Sequence, residues 1–292
     1  GVGQTKVQTY AVTVNDGKGS TLTQDVTVNI TGTNDAPTIT SVAGTTDVTG
    51  VVTEDATTTT LTDTGRLTFA DVDLTDTHTV SAIKVSGTLG GTLTFGSVTE
   101  SATTSDGSVP WTYSVANSNT QYLALNQTAS EVFTVTINDG KGGTVTQNVT
   151  VTATGTNDVP VLTATDVAGV ITEGSALSDA GSIAFADLDL TDRPTATEAT
   201  KSVVATKAGG TTELLLTAAQ QAAIENAFTI TPSTTNTNNG TINWNYSIAE
   251  GSLNFLAAGE NVTAVFTVTV IDNNGSTLTQ DVTVNITGTN DV

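Results

Sequence analysis

The chain has 292 residues, and its 29 acidic side chains outweigh 8 basic ones to give a net charge of −21. That balance excludes partners that need basic patches, such as nucleic acid and anionic membrane surfaces, and favours cations as ligands. With no Cys and one His, it also excludes disulfides, thiol nucleophiles, His-rich zinc sites and a Ser-His triad.

No run of 18 apolar residues exists in the sequence, so membrane insertion is not expected. Met is absent, the chain opens on Gly1 and no signal peptide is visible, which together read as a fragment of something longer. Thr supplies 66 residues. Thr and Val are branched at Cβ and favour pleated, half-buried strands. A hydrophobic content of 37% is too high for a disordered acidic tail. The composition therefore predicts an all-β globular chain.

In chain order, the first expected elements are two strands, Val7–Asn15 and Leu22–Ile30, joined by a turn at Asp16-Gly17-Lys18-Gly19. The second strand opens a repeat. Ser20–Asp35, STLTQDVTVNITGTND, recurs unchanged at Ser276–Asp291, and Thr144–Asp158 is a variant copy. The Gly-Thr-Asn-Asp marker falls at 32–35, 155–158 and 288–291, so the period is the size of a domain. Other elements return in step. Val52-Thr53-Glu54 matches Ile171-Thr172-Glu173, and Phe69–Asp76 matches Phe185–Asp192. Trp111–Val115 matches Trp244–Ile248. Two whole units follow, 37–158 and 159–292, and residues 1–36 read as the last hairpin of a truncated preceding repeat.

Within a unit, Phe133, Val135 and Ile137 alternate with Thr134, Thr136 and Asn138, the period of two that makes one strand face apolar. Asp139-Gly140-Lys141-Gly142 then supplies a tight turn. Short strands and turns over some 120–130 residues predict an antiparallel, immunoglobulin-like β-sandwich, taken here as seven-stranded. The second unit carries an insertion between Thr195 and Gly240, with a short helix over Ala218–Ala227 capped by Thr217. Trp111, Tyr113 and Val115 are expected in the core. Carbohydrate stacking by Trp111 and Trp244 is the lesser reading, since aromatics in strands usually pack inward.

Asp71-x-Asp73-x-x-Asp76 and Asp187-x-Asp189-x-x-Asp192 each follow an apolar strand, so they are expected in a loop at one end of the sandwich. Three carboxylates within six residues repel one another unless a cation neutralises them. Hard oxygen ligands at this spacing suit Ca²⁺, which takes 6–8 oxygens in flexible geometry. A solvated acidic turn would explain one isolated Asp-x-Asp; recurrence beside a second acidic marker shifts the weight to the ion. In the expected topology Asp71, Asp73 and Asp139 converge near Asn34-Asp35. Asp187, Asp189 and Asp272 likewise converge near Asn157-Asp158. Glu54 is expected at the opposite end of its unit, facing the next junction, with Glu131 joining it from a loop. Glu173 with Asn290-Asp291 forms the exit counterpart.

These residues resemble a known family. Asn138-Asp139-Gly140-Lys141-Gly142-Gly143 through Gly155-Thr156-Asn157-Asp158-Val159-Pro160 looks like the VCBS repeat of giant bacterial surface proteins, including RTX-type adhesins exported by type I secretion. VCBS units are similar to cadherin domains. In those, junctional Ca²⁺ is held by a Glu, a DxD, an Asx-rich linker and a DxG, matched here by Glu54, Asp71, Asp73, Asn157-Asp158 and Asp139. The resemblance departs in two places: the linker has a single Asn-Asp, and the cadherin LDRE element has no clear copy.

The resemblance implies non-catalytic extender repeats of a secreted cell-surface adhesin, stiffened by Ca²⁺ and supporting adhesion and biofilm formation. Their partners would be neighbouring repeats of the same polypeptide, with host or abiotic surfaces or glycans contacted through other regions. The alternative is a module attached to a secreted enzyme that itself grips a glycan or cell surface, which would need exposed aromatics. Catalysis ranks third, because the aspartates are expected in exposed Thr-rich loops with no cleft signal. His78 lacks a counterpart in the other repeat and is expected at the surface. The sequons at Asn29, Asn148 and Asn285 arise readily by composition.

Overall fold

The computed structural model describes residues 1–290. Its contacts divide the chain into two compact units. Unit 1 holds Gly1–Thr120 and Thr128–Thr154, and unit 2 holds Gln121–Gln127 and Gly155–Val292.

Unit 1 begins with the expected hairpin, β1 (Thr5–Asn15) and β2 (Thr21–Thr31), paired over their full length as a two-stranded sheet. The sandwich that follows is built from β3 (Thr38–Thr40), β4 (Thr49–Thr53), β5 (Thr60–Ala70), β6 (Thr79–Ser86) and β7 (Thr92–Phe95), then β8 (Thr99–Ser101), β9 (Thr104–Ala116), β10 (Thr128–Asn138) and β11 (Thr144–Thr154). One sheet has the order β4-β11-β10-β6 and the other β3-β5-β9-β7, with β8 also on β9. Pairing is antiparallel except that β4 runs parallel to β11. Alternation does what the sequence predicts. Val109, Trp111, Tyr113 and Val115 of one sheet and Phe133, Val135 and Ile137 of the other are at most 4% exposed, and they form the core.

Unit 2 repeats this plan with β12 (Val161–Asp166), β13 (Ala168–Thr172), β14 (Ser178–Ala186), β15 (Thr195–Thr206), β16 (Phe228–Pro232), β17 (Gly240–Ser247), β18 (Asn261–Ile271) and β19 (Thr277–Thr287). Its sheets are β12-β14-β17-β16 and β13-β19-β18-β15, and β13 is parallel to β19. Both units therefore exceed seven strands, because the first strand is split into two segments that join different sheets, and in unit 1 the short β8 is added beside β9. The helix of the insertion forms as α1 (Ala218–Glu225). Thr217 accepts from the Gln220 amide while Gln220 Oε1 accepts from the Thr217 amide at 2.8 Å, a reciprocal cap that satisfies two orphan donors. Ile224 anchors the helix to the core, where Phe228 and Phe266 stack at 4.2 Å.

Glu131 corrects the sequence expectation. It lies on β10, fully buried, and takes no part in either acidic end. The amides of Gly90 and Gly91, the Tyr113 hydroxyl and Lys84 Nζ all donate to its carboxylate at 2.9–3.1 Å. A strand position facing the core explains this: a buried charge must find donors there. Burial, and then the neighbouring carboxylate, raise the Tyr113 hydroxyl pKa above its ordinary value. In unit 2 Ala264 stands at the position of Glu131, and the buried Tyr246 hydroxyl finds no hydrogen-bond partner among the described residues. Opposite outcomes follow for the same substitution. Tyr113→Phe should cost about 1–3 kcal/mol by leaving Glu131 short of a donor, whereas Tyr246→Phe should be neutral or stabilising. Chemical denaturation of the two single variants checks this, and equal losses would contradict it.

Candidate metal centre

The acidic loops after β5 and β14 fold around themselves before they meet anything else. In unit 2 the Asp189 amide donates to Asp187 Oδ1 at 3.0 Å and the Asp192 amide to the Asp189 carbonyl at 3.0 Å. The linker closes over this loop. The Asp158 amide donates to Asp189 Oδ2 at 2.9 Å, and Asn157 Nδ2 donates to Asp272 Oδ2 at 2.9 Å. Asp272 is held in turn by the amides of Asn274, Gly275 and Ser276 in the β18–β19 turn.

Unit 1 reproduces each of these contacts. The Asp73 amide donates to Asp71 Oδ1 at 2.8 Å, the Asp35 amide to Asp73 Oδ2 at 2.9 Å, and Asn34 Nδ2 to Asp139 Oδ2 at 2.9 Å. The convergence read from the sequence is thus present within each unit. The aspartates, however, are not in exposed loops. Asp71, Asp73, Asp139, Asp187, Asp189, Asp192 and Asp272 are all at most 5% exposed, because the linker and the hairpin turn cover them.

The donors just named use one oxygen each and leave others facing inward. Asn157 Oδ1, Asp187 Oδ2, Asp189 Oδ1 and Asp192 Oδ2 are buried without a hydrogen-bond partner among the described residues. Ligand atoms of Asp187, Asp189 and Asp192 lie within 4.8 Å of one another. No Lys or Arg forms an ion pair with these three among the described residues. Burial, and then the charges of Asp192, Asp158 and Asp187, push Asp189 up to about 7; burial also raises Asp187.

In unit 1 the Asp35 amide holds the Asp73 carboxyl below its usual range. Asp139 and Asp272 are also held low: burial opposes, but the Asn34 and Asn157 side chains and the turn amides prevail.

A pH dependence follows. A carboxyl raised from about 4 unfolded to about 7 folded stabilises the fold fully below the lower value, and that stability is lost as pH rises through the upper one. With divalent ions removed, unit 2 should become less stable between about pH 4 and 7. Calorimetry across that range reads it, and an apo midpoint that climbs with pH would contradict the burial of Asp189.

Glu54 and Glu173 lie at the other end of each sandwich. Glu173 precedes β14 and Asp187 follows it, and nine residues at ~3.3 Å each separate the two by about 30 Å. Glu173 is 1% exposed; its Oε2 accepts from the Thr289 amide at 2.8 Å and its Oε1 is buried without a partner among the described residues. Asn290 follows Thr289, and Asp291 lies outside the described residues. Glu54 is buried at the end of β4, its amide bonded to the Thr154 carbonyl at 2.9 Å.

His78 is not a surface residue. Its side chain is 4% exposed, sits 4.7 Å from the Phe69 ring, and bridges Asp71 Oδ2 at 3.1 Å and Glu100 Oε2 at 2.8 Å. The β8 segment, which carries Glu100, covers it. Unit 2 has Pro194 at that position and closes its site with amides instead: Asn274 Nδ2 donates to Asp192 Oδ1 at 2.7 Å, and Asn238 Nδ2 to the Asp187 carbonyl at 2.6 Å. Sequence reading missed these asparagines. Their signal was weak, since Asn238 sits in a Thr/Asn-rich insertion and Asn274 in a hairpin turn, where asparagine is ordinary.

Each unit is thus an antiparallel β-sandwich with a buried, oxygen-lined acidic end. No family description matches the chain, and no curated protein matches its sequence. Among solved structures the chain is similar to the protocadherin gamma B2 cadherin domains 1–5, at 11% identity over 98% of this chain and 46% of that one, with a TM-score of 0.45. Zebrafish RET cadherin-like domains 1–4 share 12% identity over 98% and 58%, with a TM-score of 0.26. The sialic acid binding region of a Streptococcus sanguinis adhesin shares 10% over 88% and 78%, with a TM-score of 0.29. The chain spans about half the length of the cadherin-type chains. Among the described residues no helix is long and apolar enough to cross a membrane.

Proposed function

We propose that this chain is a run of extracellular, non-catalytic extender repeats of a bacterial surface adhesin of the VCBS kind, made rigid by Ca²⁺ at the repeat junctions. The observation that carries the ion is the set of buried, unpartnered oxygens of Asn157, Asp187, Asp189 and Asp192. All are hard donors, and in unit 2 no His or Cys joins the group among the described residues, which fits Ca²⁺.

Asp187, Asp189 and Asp192 would hold the ion together with Asn157-Asp158 and Asp272. Asn34-Asp35, Asp71, Asp73, Asp76 and Asp139 would do the same in unit 1. Ca²⁺ supplies the positive charge that lets these carboxylates stay ionised side by side. Because the linker belongs to the same ligand set as the loop and the turn, its direction becomes fixed when the set is neutralised. Glu54 is read as reaching the junction from the preceding repeat, and Glu173 with Asn290-Asp291 as its exit counterpart.

The rival reading, a glycan-gripping module, needs exposed aromatics, and Trp111 and Trp244 are each 1% exposed in the core. Small-angle scattering of the whole chain tests the extender reading. Ca²⁺ should narrow the distance distribution relative to EDTA, and identical profiles would contradict it.

A further inference from the structure

We infer that the hairpin β1–β2 is an interchangeable closing element, and that its uncovered face takes the open half of another repeat of this same kind. The first observation is exposure. Tyr10, Val12, Val14, Val26, Val28 and Ile30 share one face of the hairpin, as the pairing Tyr10↔Val26 and Val12↔Gln24 shows, and are 42–65% exposed. A two-stranded sheet with a bare apolar face is marginal in water.

The second observation names the cover. Residues 20–35 are identical to 276–291, and β1–β2 pair in the register of β18–β19: Thr5↔Thr31 and Asn15↔Thr21 match Asn261↔Thr287 and Ile271↔Thr277. The turn leading in repeats as well. Gly3 and Gly259 have φ of +75° and +83°, and the amides of Gly32 and Gly288 donate to the carbonyls of Gln4 and Glu260 at 2.9 Å.

In unit 2 the equivalents Phe266, Val268, Val270, Val282, Val284 and Ile286 are at most 1% exposed beneath the β12-β14-β17-β16 sheet. There β13 runs parallel to Thr283–Thr287 and β15 antiparallel along β18. The same sequence in the same geometry calls for the same cover. The occupant is therefore a sheet like β12-β14-β17-β16, with a parallel strand on Thr27–Thr31 and an antiparallel strand along β1. This surface does not depend on the ion.

The test compares three proteins: the 292-residue chain, the chain with a second copy of residues 159–256 fused before Gly1, and that fusion with residues 1–31 replaced by 257–287. The third restores unit 2 verbatim and serves as the folding control. Hydrogen exchange is read in EDTA and in Ca²⁺. In the unfused chain the amides of residues 5–31 should exchange fast. In the fusion their protection should rise roughly 100-fold or more, to the level of β18–β19. If the control gains a third folded unit and the fusion with the native hairpin does not, the inference is overturned. It is equally overturned if the hairpin of the unfused chain is already protected and loses that protection on dilution, since a second copy would then be the cover.

Discussion

Replacing Asp187 and Asp189 together by Asn should move unit 2 in opposite directions with and without Ca²⁺. In EDTA the wild-type loop holds Asp187, Asp189 and Asp192 in mutual repulsion, and Asp189 is driven up to about 7 by burial first and by those charges next. Asn keeps the shape and removes two charges, so the ion-free midpoint at neutral pH should rise. In Ca²⁺ the variant should forgo the linkage term RT ln(1 + [L]/Kd), about 2.7 kcal/mol at 100 Kd, or roughly 10 °C of midpoint for a domain of this size. Unit 1 carries its own site and should be unaffected. A variant that loses stability equally in EDTA and in Ca²⁺ would show that the two side chains act by packing alone.

The second large effect lies in the core. Trp244 is 1% exposed, and its Nε1 donates to the Asp166 carbonyl at 2.7 Å. The ring passes directly over Gly181, where a Cβ would come within 2.6 Å of the indole nitrogen. Trp244→Ala should destabilise unit 2 by about 3–5 kcal/mol, through the cavity and the orphaned carbonyl together. Gly181→Ala should cost about 1–3 kcal/mol by overpacking, although its backbone needs no special φ. Trp111 and Gly65 form the same pair in unit 1, with Trp111 Nε1 on the Asp47 carbonyl. Scanning calorimetry of the two unit 2 variants should show the unit 2 transition moving alone. A Gly181→Ala protein as stable as wild type would mean that the indole has room to shift.

Much of this architecture was legible because the chain repeats itself. Period-two alternation at Phe133, Val135 and Ile137 gave the strands, and the Asp-Gly turns gave their connections. The copies of Trp-x-Tyr marked the core in both units. Asp-x-Asp and Asn-Asp were found because each recurs beside the other. What escaped was what depends on three-dimensional cover. His78 and Glu131 are polar residues on strands or beside them, and nothing local tells whether a polar side chain meets water or buried donors. Glu100, on the short β8, and Asn238, in an irregular loop, come from segments that differ between the repeats, and Asn274 replaces Lys141 in the shared hairpin turn, so internal comparison could not single them out. The burial of the aspartates was likewise invisible, since it is produced by Asn34-Asp35 and Asn157-Asp158 folding back over loops distant in sequence.

Whether these buried carboxylate ends hold Ca²⁺ is most directly read by scanning calorimetry of the whole chain at pH 7.5, first in excess EDTA and then in millimolar Ca²⁺. Ca²⁺ should raise the unfolding midpoint of unit 2, by an amount that grows with the logarithm of its concentration. The gain should shrink as the pH is lowered toward 5, where protons take the place of the ion on Asp189. A midpoint that does not change between EDTA and Ca²⁺ at pH 7.5 would contradict the account.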